Sequence, residues 1–79
     1  MRVFIHSLEK TLYEGDGQVV VLPARGGEIS VMQNHIPLVA PLKQGSILVK
    51  EGERGEKKFT VSSGFVEVKP SHVIVLLNP

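Results

Sequence analysis

Apolar and polar residues alternate along this chain with a period of two, in short runs interrupted by turn formers. Phe65-Val66-Glu67-Val68-Lys69 puts Val66 and Val68 on one face and Glu67 and Lys69 on the other, and Glu28-Ile29-Ser30-Val31 repeats the pattern. Breaks fall every seven to ten residues, at 15–17, 25–27, 34–37, 44–45, 52–55, 63–64 and 70–71. There Gly and Asn supply positive φ and Pro presets φ for a turn. The runs between them, residues 3–6, 19–22, 28–32, 38–42, 47–50, 58–61, 65–69 and 73–77, are candidate strands. Short strands at this spacing predict an all-β fold, a two-layer antiparallel β-sandwich of about eight to ten strands.

Two runs break the alternation. Val19-Val20-Val21-Leu22 and Val73-Ile74-Val75-Leu76-Leu77 are apolar on both faces. Either loops overlie them or their outer face meets another chain. Residues 7–14 admit two readings, a helical turn capped by Ser7 or a turn at 7–10 followed by a short strand. Eight residues ending at Gly15 are too few for an independent helix, so the turn and strand fit better. Residues 50–58 carry mixed charge and predict a solvated hairpin tip.

Length and composition narrow the function. Seventy-nine residues make one domain of modest stability, and the absence of cysteine excludes disulfides and thiolate zinc sites. Nine basic and eight acidic residues give a net charge of +1, and Lys57-Lys58 lies among Glu51, Glu53 and Glu56, so no basic stripe suggests nucleic acid. No apolar run approaches the roughly 18 residues of a membrane span. A soluble, cytoplasmic protein is the expectation.

Chemistry is hard to assemble from these residues. His6, His35 and His72 stand singly, without metal-ligand spacing. Asp16, the only aspartate, sits in a Gly-Asp-Gly turn, and Gly26-Gly27 has no phosphate-loop signature around it. The expectation is no catalytic residue, no metal and no cofactor. One loop stands apart, Met32-Gln33-Asn34-His35-Ile36-Pro37-Leu38, either a rigid turn with His35 bonded to a nearby carbonyl or a contact point for a partner.

The stretch Gly27-Glu28-Ile29-Ser30-Val31-Met32-Gln33-Asn34-His35-Ile36-Pro37-Leu38 resembles the signature loop of the epsilon subunit of the F-type ATP synthase, G-E-(I/L)-G-I-x-P-x-H-A-P-L. Leu42-Lys43-Gln44-Gly45 resembles the family's following L-x-x-G. Phe59-Thr60-Val61-Ser62-Ser63-Gly64-Phe65-Val66-Glu67-Val68 resembles its F-x-V-S-G-G-F-x-E-V, and Val73-Ile74-Val75-Leu76 its closing V-T-V-L strand. The resemblance spans nearly the whole chain. Ser30, Gln33, Ile36 and Ser63 depart from it, replacing glycine, proline, alanine and glycine.

That resemblance implies an epsilon-like β-sandwich domain over residues 1–79, with the family's C-terminal helical hairpin expected to be absent. Helix-mediated inhibition and ATP binding are therefore not assigned to these residues. It implies a non-catalytic rotor subunit joining the gamma shaft to the c ring, peripheral on the cytoplasmic side of an energy-transducing membrane such as the bacterial inner membrane. Gly27, Glu28 and Ile29 are then expected to face the c ring. Ser7 and His35 face gamma, with Pro37 and Leu38 supporting that loop. The rival readings are a free-standing β-sandwich module binding a ligand or peptide, for which aromatics are few, and a small hydrolase or metal enzyme.

Overall fold

The computed structural model describes residues 1–78; residue 79, the last of the expected domain, lies outside the described residues. Nine strands follow in chain order: β1 Arg2–His6, β2 Thr11–Asp16, β3 Val19–Ala24, β4 Gly27–Val31, β5 Leu38–Leu42, β6 Gly45–Lys50, β7 Glu56–Val61, β8 Gly64–Val68 and β9 His72–Leu77. The only helical element among the described residues is a 3-10 turn, Gly52–Arg54, at the tip of the β6–β7 hairpin. The chain is all-β, and residues 7–10 form a turn closed by Ser7 N–H on the Lys10 carbonyl at 2.9 Å, with a strand after it.

The strands form one continuous sheet folded over on itself. One layer runs β2-β1-β9-β8-β5, and the other holds β4-β3-β6-β7. A single bridge, Ala24 opposite Leu42, joins them at the corner. Pro23 marks the place where β3 leaves β6 for β5. The β6 pairing stops at Val21, so the missing N–H of proline falls in a gap in the ladder. Its carbonyl still accepts from Lys43 N–H at 2.8 Å.

One pairing departs from the antiparallel layout expected from the sequence, since β1 and β9 run parallel. These are the first and last strands. No crossover has to join them, because the rest of the chain already does.

Alternation fills the space between the layers. Val3, Ile5, Val20, Leu22, Val31, Leu42, Ile47, Val49, Val61, Val66, Val68, Val73 and Val75 are all but fully buried in one cluster, and none of the described polar side chains is buried. Each such side chain contributes roughly 1.5–3 kcal/mol relative to exposure. Ser30 and Ser63 replace the glycines of the family pattern without strain, since among the described residues the one non-glycine with positive φ is Asn34, at 65°.

A side-chain clip ties edge strand β2 to the β6–β7 hairpin. Tyr13 packs against Phe59 at 5.4 Å between ring centroids, its hydroxyl donates to the Glu51 carboxylate, and Arg54 Nη2 donates to the Asp16 carbonyl at 3.0 Å. Burial, and secondarily the bond to Glu51, pushes the Tyr13 phenol up to about 12 from 10.0. The folded state thus holds this proton more tightly than the unfolded chain does. Its contribution is whole below about pH 10, and falls as the pH rises towards about 12, because the unfolded chain ionises first. Urea midpoints measured across that window are expected to fall less steeply in Tyr13→Phe than in the wild type. Tyr13 is the only tyrosine and there is no tryptophan, so tyrosinate absorbance reports this one site.

Candidate docking surface

The outward face of the layer β1-β9-β8-β5 is where the structure leaves apolar surface uncovered. Register sets Pro41 opposite Phe65, Phe65 opposite Leu76, and Leu76 beside His6. The next row runs Val39, Glu67, Ile74 and Phe4. Val39 is 68% exposed, Phe65 53% and Leu76 56%. These residues have the parity opposite to the core residues Leu42, Val66, Val68, Val73 and Val75, so strand geometry alone turns them outward. The row of Pro41, Phe65 and Leu76 is unbroken, and Val39 and Ile74 flank it with Glu67 between them; an apolar patch of this kind on a small domain marks a contact surface.

The two doubly apolar strands thus have different explanations. In central strand β3, outward Val19 and Val21 are half-buried. Lys50 stands opposite Val19, and Lys58 opposite Leu48, next to Val21, and lysine stems at such positions are long enough to lie over apolar neighbours. In β9, Leu76 has no such cover.

Towards β2 the same face carries an aromatic and charged margin. Phe4 stacks between His6 and His72, with centroids 6.0 and 6.2 Å away. Arg2 lies 5.7 Å over the Phe4 ring and bridges Glu14 at 2.8 Å and Asp16 at 3.4 Å. The bond to Glu14 is the main reason its guanidinium is held above its ordinary pKa.

The loop singled out by sequence lies at the start of β5. Asn34 takes the left-handed conformation and its N–H donates to the Pro70 carbonyl at 2.7 Å, while His35 N–H donates to Met32 O at 3.1 Å. His35 Nδ1 donates to the Ile36 carbonyl at 2.7 Å, so the ring is half-held by its own loop. Ile36 points into solvent. Pro37 and Leu38 continue into a shallow groove shared with Val39, Glu67, Val68 and Lys69.

Gly27, Glu28 and Ile29 begin β4, straight after the Arg25–Gly26 turn that closes on the Ala24–Gly27 pair. Glu28 is exposed and Ile29 half-buried. The three are contiguous on one edge strand.

Ser7 does not join His35. Ser7 follows His6 at the end of β1, and Pro37 precedes Leu38, which pairs with Val68 at the far end of the same layer. Five residues of strand lie between these ends, roughly 16 Å at about 3.3 Å per residue. Sequence reasoning named the doubly apolar β9 but missed Val39 and Phe65. Their signal was present, since Phe65 shares parity with Glu67 and Lys69.

Among the described residues no group of three or more His, Asp or Glu side chains could hold a metal ion, and no helix is long and apolar enough to cross a membrane. A nine-stranded folded sheet with an open apolar face defines a β-sandwich domain. Residues 1–78 match the family described as ATP synthase, Delta/Epsilon chain, beta-sandwich domain, and the chain belongs to that family.

It is 43% identical over 77 residues to the ATP synthase epsilon chain of Shouchella clausii and 41% identical over 76 to that of Alkalihalophilus pseudofirmus. Each alignment covers 96% of this chain and 56% of the relative, so the chain spans about half the length of these relatives. A chain of the Euglena gracilis mitochondrial ATP synthase, from an OSCP/F1/c-ring structure, shares the fold. Its TM-score is 0.84 at 20% identity, over 95% of this chain and 48% of that one. One from the central stalk and c ring of the Tetrahymena thermophila enzyme scores 0.81 at 14% identity, over 100% and 63%.

Proposed function

We propose that this chain is the β-sandwich part of a non-catalytic rotor subunit of an F-type ATP synthase. In this reading it links the gamma shaft to the c ring and couples proton transport to ATP synthesis. It is peripheral, on the cytoplasmic side of the energy-transducing membrane. The observation that carries the reading is the uncovered face of Val39, Phe65, Ile74 and Leu76 in a chain of the epsilon family. A rotor part has to be stiff and to hold two partners. A β-core of fully buried aliphatic side chains meets the first need, and an apolar face separate from a polar edge suits the second.

Gamma lies along the β5-β8-β9 face in this proposal, spanning from the Ser7 end to His35, Pro37 and Leu38. The c ring meets Gly27, Glu28 and Ile29, with Glu28 paired to a basic group on a c-subunit loop. No bond chemistry is assigned to the chain.

The test is a pull-down of purified gamma subunit from the same source, with isolated c ring in parallel. Wild-type domain is expected to retain both. Glu28→Lys is expected to retain gamma and lose the ring. A demonstrably folded domain that fails to retain gamma would overturn the proposal and favour a free-standing binding module.

A further inference from the structure

Glu67 is a carboxylate set among apolar side chains. On the outward face of β8 it has Val39 of β5 on one side and Ile74 of β9 on the other. Phe65 lies two residues before it on the same face of the strand. No other Asp or Glu belongs to β5, β8 or β9. In the free domain Glu67 is exposed, and water solvates it.

No cation of the domain neutralises this charge. Among the described residues the ion pairs within 4 Å are those of Arg2 with Glu14 and Asp16, at the margin of the face. Lys69, two residues beyond Glu67, sits at the hairpin turn into β9, where its N–H donates to the His72 carbonyl at 2.8 Å. Its ammonium makes no ion pair with Glu67.

A partner that covers the face strips water from this carboxylate, which is costly unless a cation replaces the water. The shallow groove lined by Pro37, Val39 and Glu67 offers the place for one. A long basic side chain can lay its aliphatic stem over Pro37 and Val39 with its head on the carboxylate.

We infer that Glu67 is the charge determinant of the gamma-facing surface, pairing with a lysine or arginine that gamma lays in this groove. The inference rests on the rotor reading and deepens it. The apolar rows supply contact area, while Glu67 fixes the register of docking and the choice of partner.

The test is titration calorimetry with purified gamma subunit, with circular dichroism showing each variant folded at the assay temperature. Glu67→Gln is expected to weaken binding roughly tenfold or more, and Glu67→Lys about 100-fold or more. Added salt should weaken the wild type more steeply than Glu67→Gln. Glu56→Gln, on β7 in the other layer, makes the same change in net charge and should stay within about twofold. Without a cation on gamma the sign reverses, because glutamine is cheaper to desolvate than an unpaired carboxylate. Gamma that binds Glu67→Gln as tightly as the wild type, or more tightly, therefore overturns the inference and leaves the rotor reading standing. A loss on Lys69→Gln as large as that on Glu67→Gln would place the counter-charge within this chain and also overturn it. A folded wild type that fails to bind gamma overturns the rotor reading and this inference with it.

Discussion

Gly64→Ala is expected to be the most damaging single-methyl change in this domain. Gly64 is buried at the start of β8 between Leu42 and Leu77. A Cβ there would overlap the Leu76 carbonyl oxygen and come within 3.1 Å of Leu77 Cα. Both are backbone atoms of the neighbouring strand, so no rotamer change relieves the clash. β8 and β9 must separate locally, which costs about 3 kcal/mol or more. A 79-residue chain has a total stability of about 4–12 kcal/mol. The loss should lower the melting temperature by roughly 12–24 °C or more. Gly26→Ala is the control, since nothing lies within 4 Å of its Cβ position and the change should stay within about 0.5 kcal/mol. Circular dichroism melts of the two variants decide the matter. Equal melting temperatures would mean that β8 and β9 are not packed this closely.

The second large effect concerns binding. Phe65→Asp and Leu76→Asp each place a carboxylate in the middle of the outward face, on adjacent strands in one register pair. Both side chains are more than half exposed in the free domain, so folding stability should fall by only about 1 kcal/mol, through lost cross-strand packing and the poor strand preference of Asp. If gamma covers this face, the carboxylate loses water without gaining a partner, and a central apolar anchor is lost. Affinity for gamma should fall about 100-fold or more. Titration calorimetry with purified gamma reads the loss, and circular dichroism showing each variant still folded at the assay temperature separates it from unfolding.

The strands were legible because burial on one face enforces a period of two, and glycine or proline stands at nearly every turn. Even the difficult segment 7–14 resolved as the turn and strand that its length favoured, although β2 runs on through Gly15 to Asp16, past the break expected at Gly15. The parallel pairing of β1 with β9 was not legible, since nothing local to Arg2–His6 or His72–Leu77 encodes which strand lies beside it. The outward face was half legible. Leu76 showed itself by breaking alternation, whereas Phe65 and Val39 each look like the ordinary apolar end of a strand until cross-strand register sets them together. Ser7 and His35 were grouped by resemblance, and only the register reveals that a strand's length separates them.

Methyl spectra of the labelled domain, recorded with and without purified gamma subunit, test the central claim most directly. The account predicts that signals of Val39, Ile74 and Leu76 shift or broaden on addition of gamma, while those of buried Val20 and Val49 and of Ile29 on β4 stay in place. Perturbation centred on Ile29, with Val39 and Leu76 unmoved, would contradict it.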